Sequence, residues 1–180
     1  MLAMSFSTGP AQAKGPDEQT SRDYFTDLAL VDQEGRRVRF YSDVLKDRVV
    51  LISFIYTNCK DACPLIMHRL SQVRDQLGEA FGKRVFFVSV SVDPARDTPQ
   101  ALAKYASQHK AEHPGWVFLT GEKAHVDRIL TRLGQRAETP EAHSTMLLAG
   151  NVGNRHWTKV GPTVSVAAVA AKLRDLARED

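Results

Sequence analysis

Cys59 and Cys63 are the only two cysteines of the chain, and they lie four residues apart. They fall where an apolar run, VVLISFIYTN, gives way to an amphipathic stretch, PLIMHRLSQVRDQL. A strand-to-helix turn exposes side chains at the mouth of a sheet and aims the helix N-terminus at them. The partial positive charge there favours thiolate over thiol, and thiolate is the form that binds metals and attacks disulfides. A structural disulfide is the weaker reading, because closing so short a loop removes little entropy from the unfolded chain. The pair points to redox or metal chemistry.

Six histidines are available to complete a metal site. His68 follows Cys63 by five residues on the helix and is expected on its outer surface. His109 and His113 sit in a polar stretch and are expected in solvent. His125 opens a later helix with no obvious partner, and His156, beside Trp157, is expected to pack or make a hydrogen bond. His143 stands apart, because the segment Thr139-Pro140-Glu141-Ala142-His143-Ser144 leads directly into a strand, TMLLAG.

The elements that must position these residues are readable from periodicity and punctuation. Residues 23–48 hold two short apolar segments around Gln33-Glu34-Gly35, which predict a β-hairpin. The continuous apolar run of 49–57 predicts a central strand covered on both faces. A helix follows with Pro64 in its first turn, a stripe of Ile66, Leu70, Val73 and Leu77, and Gly78 as its stop. VFFVSVSV predicts a second buried strand ending at Asp93-Pro94. Asp97-Thr98-Pro99-Gln100 supplies a cap and a helix-starting proline, with Leu102 and Tyr105 on one face. WVFLTG reads as a third strand. GEKAHVDRILTRLG reads as a helix with Val126, Ile129, Leu130 and Leu133 inward. STMLLAGN and RHWTKV predict a hairpin, and a last helix runs from about Thr163, its cap, to Arg178.

This order predicts one α/β domain over residues 23–180, thioredoxin-like, with an added N-terminal hairpin and a C-terminal hairpin plus helix. In such a fold the loop carrying His143 reaches the cysteine turn across the mouth of the sheet, so Cys59, Cys63 and His143 are expected to converge. Two thiolates and one imidazole are one donor short of a structural zinc site, which takes four protein ligands. Soft thiolates with few neighbours favour copper(I), and an added imidazole lets the same site hold copper(II). Catalytic zinc remains formally open, but no general base stands nearby in sequence.

Three segments together, FIYTNCKDACP, SVSVDPARDTP and WVFLTG, followed by a His-Ser pair before a strand, resemble the SCO/SenC family of copper-binding proteins that assemble cytochrome c oxidase. The resemblance covers roughly residues 24–178. It implies Cys59, Cys63 and His143 as copper ligands, with Asp93 near the site and able to help dock a partner. Lys60 stands where the family often has proline, and Ala142 where an aspartate often precedes the histidine. The implied partner is the apo copper subunit of the oxidase. The alternative is a thiol–disulfide oxidoreductase acting on a thiol partner protein, with Cys59 attacking and Cys63 resolving. The expected role is therefore a carrier rather than an enzyme, unless thiol exchange is its work.

Composition narrows the remaining classes. The net charge of +3 over 180 residues comes from dispersed lysines and arginines, which excludes a nucleic-acid footprint. No apolar stretch approaches the length of a membrane span. Residues 1–22 read as a loose leader or signal-peptide remnant, because Ala11-Gln12-Ala13 resembles a cleavage site although a basic start is missing. An extracytoplasmic setting is expected, in a bacterial periplasm before a mitochondrial intermembrane space, for a monomer without a membrane anchor in this sequence.

Overall fold

The computed structural model describes residues 16–60 and 62–179. Its frame is a seven-stranded sheet in the order β2-β1-β5-β4-β3-β6-β7. The strands are β1 (Ala29–Asp32), β2 (Arg37–Arg39), β3 (Val49–Ile55), β4 (Val85–Ser91), β5 (Trp116–Thr120), β6 (Leu147–Asn151) and β7 (His156–Val160). The helices are α1 (Pro16–Phe25), α2 (Ala62–Leu77), α3 (Pro99–Gln108), α4 (Lys123–Arg132) and α5 (Val166–Leu176). β3, β4 and β5 run parallel in the centre, and the two hairpins, β1–β2 and β6–β7, extend the sheet antiparallel on either side. This is the thioredoxin-like order with the front hairpin and the closing hairpin plus helix that the sequence predicts. Among the described residues, no helix is long and apolar enough to cross a membrane.

The central strand is buried at every position because both of its faces are covered. Val49, Leu51 and Ile55 point into a core closed by α2, α3 and α5, with Met67, Leu70, Leu102, Tyr105 and Leu173. Val50, Ile52 and Phe54 point into a second core under α1, α4 and the π-helical turn Phe40–Leu45. Period-two alternation thus feeds two hydrophobic layers from one strand, which is why its sequence reads as a continuous apolar run. The exceptions are Ser53 and Ser89, facing neighbours in parallel register. Their hydroxyls bond each other at 2.8 Å, and the Trp116 indole N–H donates to Ser89 Oγ at 2.9 Å, so these buried polar groups are satisfied.

Several boundaries differ from the sequence expectation. The expected limit of the folded unit at residue 22 falls inside α1, while residues 1–15 lie outside the described residues. This helix is polar almost throughout, and its buried Ser21 and Phe25, four apart, form one narrow stripe. Phe25 packs on Trp157 with ring centroids 4.9 Å apart. Helix α5 is capped by Ser165, whose hydroxyl accepts from the Ala168 N–H, and not by Thr163. Serine is as good an N-cap as threonine or better, and Ser165 stands directly before α5, one turn ahead of its buried stripe at Val169. The predicted cap of α3 holds: Thr98 accepts from the Ala101 N–H, with Pro99 at the first helical position. Helix α2 ends as expected at Gly78, which takes φ of +55°.

Candidate metal centre

The cysteine turn is formed by the end of β3 and the start of α2. The Cys59 N–H donates to the Tyr56 carbonyl at 3.1 Å, which folds the chain back at the mouth of the sheet. Cys63, in the first turn of α2, then donates its own N–H to Cys59 Sγ at 3.3 Å. Both cysteines are free thiols. Cys63 is fully buried, whereas Cys59 keeps 9% of its surface, so Cys59 is the sulfur nearer to solvent. Lys60 is exposed in the loop between them, and Asp61 lies outside the described residues.

The expectation that the helix terminus would favour thiolate does not hold for Cys63. Burial pushes its thiol up to about 12, the adjacent Cys59 adds to the rise, and a backbone hydrogen bond near Tyr56 offsets only part of it. Desolvation disfavours the charged form more than a helix terminus favours it. Cys63 therefore rests protonated, and the amide of α2's first turn is spent on the sulfur of Cys59 instead.

His143 follows a 3₁₀ turn, Pro140–Ala142. Its Nδ1 lies 2.5 Å from the Pro140 carbonyl. A carbonyl only accepts, so Nδ1 carries the proton and Nε2 holds the free lone pair. That Nε2 is buried and has no hydrogen-bond partner. The ring meets the Tyr56 ring edge-on, with centroids 5.6 Å apart. Tyr56 in turn bonds Cys59 through its hydroxyl, and burial together with that bond pushes the phenol up to about 12.

The predicted ligands are thus connected but not closed into one cluster. Cys59 and Cys63 are in direct contact, and His143 joins them through Tyr56. Among the described residues, no group of three His, Cys, Asp or Glu side chains is gathered closely enough to hold a metal ion. The donor set itself, two thiols and a lone-pair imidazole nitrogen, fits copper.

Tyr56, which touches both His143 and Cys59, is the residue that sequence reasoning missed. Its place three residues before Cys59, in IYTNC, was the available signal. Trp116, on β5, is buried in the core. Met67, one turn past Cys63, is fully buried in the core. Tyr105 approaches from below, its hydroxyl buried without a partner, and burial plus the nearby Cys63 and Cys59 hold its phenol above the usual range. Asp93 lies in the loop after β4, nearly buried, accepting from Arg96 at 3.2 Å.

The remaining histidines are elsewhere. His68 is exposed, as expected. His109 is half-buried against Tyr105 with centroids 4.4 Å apart, not solvated, and burial lowers its pKa. His113 is exposed, yet its Nδ1 accepts from the Gly115 N–H at 2.9 Å and its ring lies on Phe81. His125 does have a partner, donating from Nδ1 to the Ala29 carbonyl at 2.9 Å across 96 residues of sequence. His156 bonds the Glu179 carboxylate at 2.9 Å.

A family model described as SCO1/SenC matches residues 16–178. Over 90 residues the chain is 37% identical to the SCO1 protein homolog of Bacillus subtilis, covering 50% of this chain and 45% of that protein. The chain spans about half the length of the curated relatives it matches. Among solved structures, Bradyrhizobium japonicum ScoI with copper bound superposes with a TM-score of 0.70 at 27% identity, over 83% of this chain and 96% of that one. BsSco, described as a member of the Sco family of cytochrome c oxidase assembly proteins with a disulfide switch, superposes with a TM-score of 0.72. At 22% identity, over 87% of this chain and 94% of that one, BsSco shares the fold. The family match runs from α1 to the end of α5 and includes both cysteines and His143, and the chain belongs to the SCO1/SenC family.

Proposed function

We propose that this chain carries copper for assembly of a cytochrome c oxidase copper centre. Cys59 and Cys63 take the metal as thiolates, and His143 adds its Nε2. The observation that carries this reading is the buried, unpartnered Nε2 of a histidine tied through Tyr56 to two reduced cysteines. A buried polar nitrogen without a partner is costly, and a metal supplies the missing partner. The solved ScoI with copper bound and the description of BsSco as a member of an oxidase assembly family support it.

Each part of the site has a task in this reading. The Cys63 amide steadies the Cys59 sulfur, and the Pro140 carbonyl fixes the imidazole tautomer that leaves Nε2 free. Lys60 offsets the net negative charge of copper(I) held by two thiolates. A site with few ligands can exchange them, because an incoming thiolate or imidazole of the apo oxidase subunit occupies an open position before the first donors leave. We place this work outside the cytoplasm, in a bacterial periplasm, where a dithiol needs a reductant or a bound metal to stay reduced.

The direct test is titration of anaerobically reduced protein with copper(I) against a competing chelator. One copper per chain is expected. Wild-type protein that fails to compete overturns the reading.

A second reading rests on the difference between the two sulfurs. Cys59 is the accessible one and receives an amide hydrogen bond, while Cys63 is buried behind it. Attack by the Cys59 thiolate on a partner disulfide releases one partner thiol. Cys63 then attacks Cys59, releasing the second partner thiol and leaving a Cys59–Cys63 disulfide. Two electrons pass to the partner, and the two thiol protons end on its sulfurs. Exchange that persists in His143→Ala while copper(II) affinity falls assigns this second activity separately.

A further inference from the structure

Three buried carboxylates lie among the described residues, and two of them have a cation. Asp32 pairs with Arg36, and Asp93 with Arg96. Asp97 has none. It is 1% exposed, and its three side-chain hydrogen bonds come from neutral donors. Oδ1 accepts from the Thr57 N–H at 3.1 Å and from the Thr57 hydroxyl at 2.7 Å. Oδ2 accepts from the Ser91 hydroxyl at 2.5 Å. Ser91 Oγ in turn accepts from the Asp93 N–H at 3.0 Å, and the Asp97 N–H donates to the Asp93 carbonyl at 2.9 Å.

The chain of bonds runs from the cysteine turn to the loop after β4. Thr57 lies two residues before Cys59, so its backbone sets where the turn begins. A carboxylate this buried is expensive unless its oxygens are satisfied. Here they are satisfied by dipoles, so the charge itself stays uncancelled. Its charge sits on the backbone of the turn that carries the thiols, because Oδ1 is bonded to Thr57, two residues before Cys59.

We propose that Asp97 is a positioning residue for the dithiol turn that also sets its preference between copper oxidation states. Through Thr57 it fixes the backbone ahead of Cys59. As a buried charge without a cation, it disfavours the state that puts more negative charge on the sulfurs. Copper(I) with two thiolates carries −1, whereas copper(II) with two thiolates and a neutral imidazole carries none. Asp97 therefore raises the relative affinity for copper(II), and so eases release of copper(I). The second half of this proposal rests on the copper reading above; the first half does not.

The test separates charge from position. Asp97→Asn keeps an acceptor for Thr57 and removes the charge, whereas Thr57→Val removes the hydroxyl bond and keeps the charge. Asp97→Ala removes both. Affinities for copper(I) and copper(II) are measured separately for each, together with amide exchange of Thr57 in the metal-free protein. Asp97→Asn is expected to shift the affinity ratio toward copper(I) by at least about tenfold. Thr57→Val is expected to leave that ratio in place. Asp97→Ala is expected to speed Thr57 exchange by about tenfold or more, relative to Asp97→Asn. An unchanged ratio in a folded Asp97→Asn protein overturns the charge role. Unchanged Thr57 exchange in Asp97→Ala overturns the positioning role. Wild-type protein that binds no copper removes the charge role together with the copper reading, and the exchange measurement still decides the positioning role.

Discussion

The cysteine turn and the histidine loop, the two parts of the proposed donor set, are built in opposite ways. The turn joins a fully buried strand to a long helix, is tied by Asp97 to the neighbouring loop, and bonds the Cys63 amide to the Cys59 sulfur. The loop after α4 carries His143 on a single 3₁₀ turn whose Glu141 and Ala142 are exposed. Its ring is held by one hydrogen bond and by the edge of Tyr56. A dithiol built into a strand–helix junction, beside an imidazole held by only two contacts, is suited to taking a metal on sulfur first and adding nitrogen afterwards. The difference teaches that the two halves should fail differently when altered.

The largest expected effect is on the rigid half. Replacing Cys59 or Cys63 with serine should weaken copper(I) by at least about a thousandfold, about 4 kcal/mol, in a competition titration. Removing the loop's contribution, by His143→Ala, should cost copper(I) about tenfold and copper(II) about a hundredfold or more. Equal losses for both oxidation states would break the comparison, because the imidazole would then be as integral as the sulfurs.

The contact between the halves is the next handle. Tyr56→Phe keeps the ring against His143 but removes the hydroxyl bond to Cys59. It should change reduced-state copper(I) affinity by only about threefold to tenfold, the range of one hydrogen bond. Tyr56→Leu, which also removes the aromatic edge, should speed the appearance of nitrogen ligation in stopped-flow copper(II) binding. A slower rate would show that Tyr56 guides the imidazole instead of holding it back.

The smallest effect lies behind the turn, at His109. Burial against Tyr105 lowers its pKa below the ordinary 6.5. A folded-state pKa below the unfolded value means that the unfolded chain binds more protons as pH falls. The contribution to stability is therefore present above about 6.5 and declines as pH falls toward the folded-state pKa. Urea midpoints at pH 7.5 and pH 5 should differ less in His109→Gln than in the wild type. The affinity of the copper site at pH 7.5 should stay where it was.

Legibility in sequence followed the range of the interactions. The strands at Val49–Ile55 and Val85–Ser91, the cap at Thr98 and the stop at Gly78 were readable because apolar runs and turn residues act locally. The two cysteines were readable for the same reason. Helix α1 was not, since a polar segment whose described residues bury only Ser21 and Phe25 shows little periodicity. The His125 bond to Ala29 and the Asp97 bonds to Thr57 cross 96 and 40 residues, and no local pattern announces them. The protonated state of Cys63 was misread because position at a helix terminus is visible in sequence, whereas depth of burial is not.

The two tryptophans of the chain sit in unlike surroundings. Trp116 is sealed between β4 and α3, bonded to Ser89 and stacked on Phe118 at 5.7 Å. Trp157 is half-exposed on the outer strand and carries Phe25 of α1 on its ring. Their fluorescence should therefore differ in colour, with a blue component reporting the centre of the sheet and a redder one reporting the seat of the first helix. The molecule thus carries an intrinsic optical readout in which detachment of its N-terminal helix is distinguishable from loss of its core.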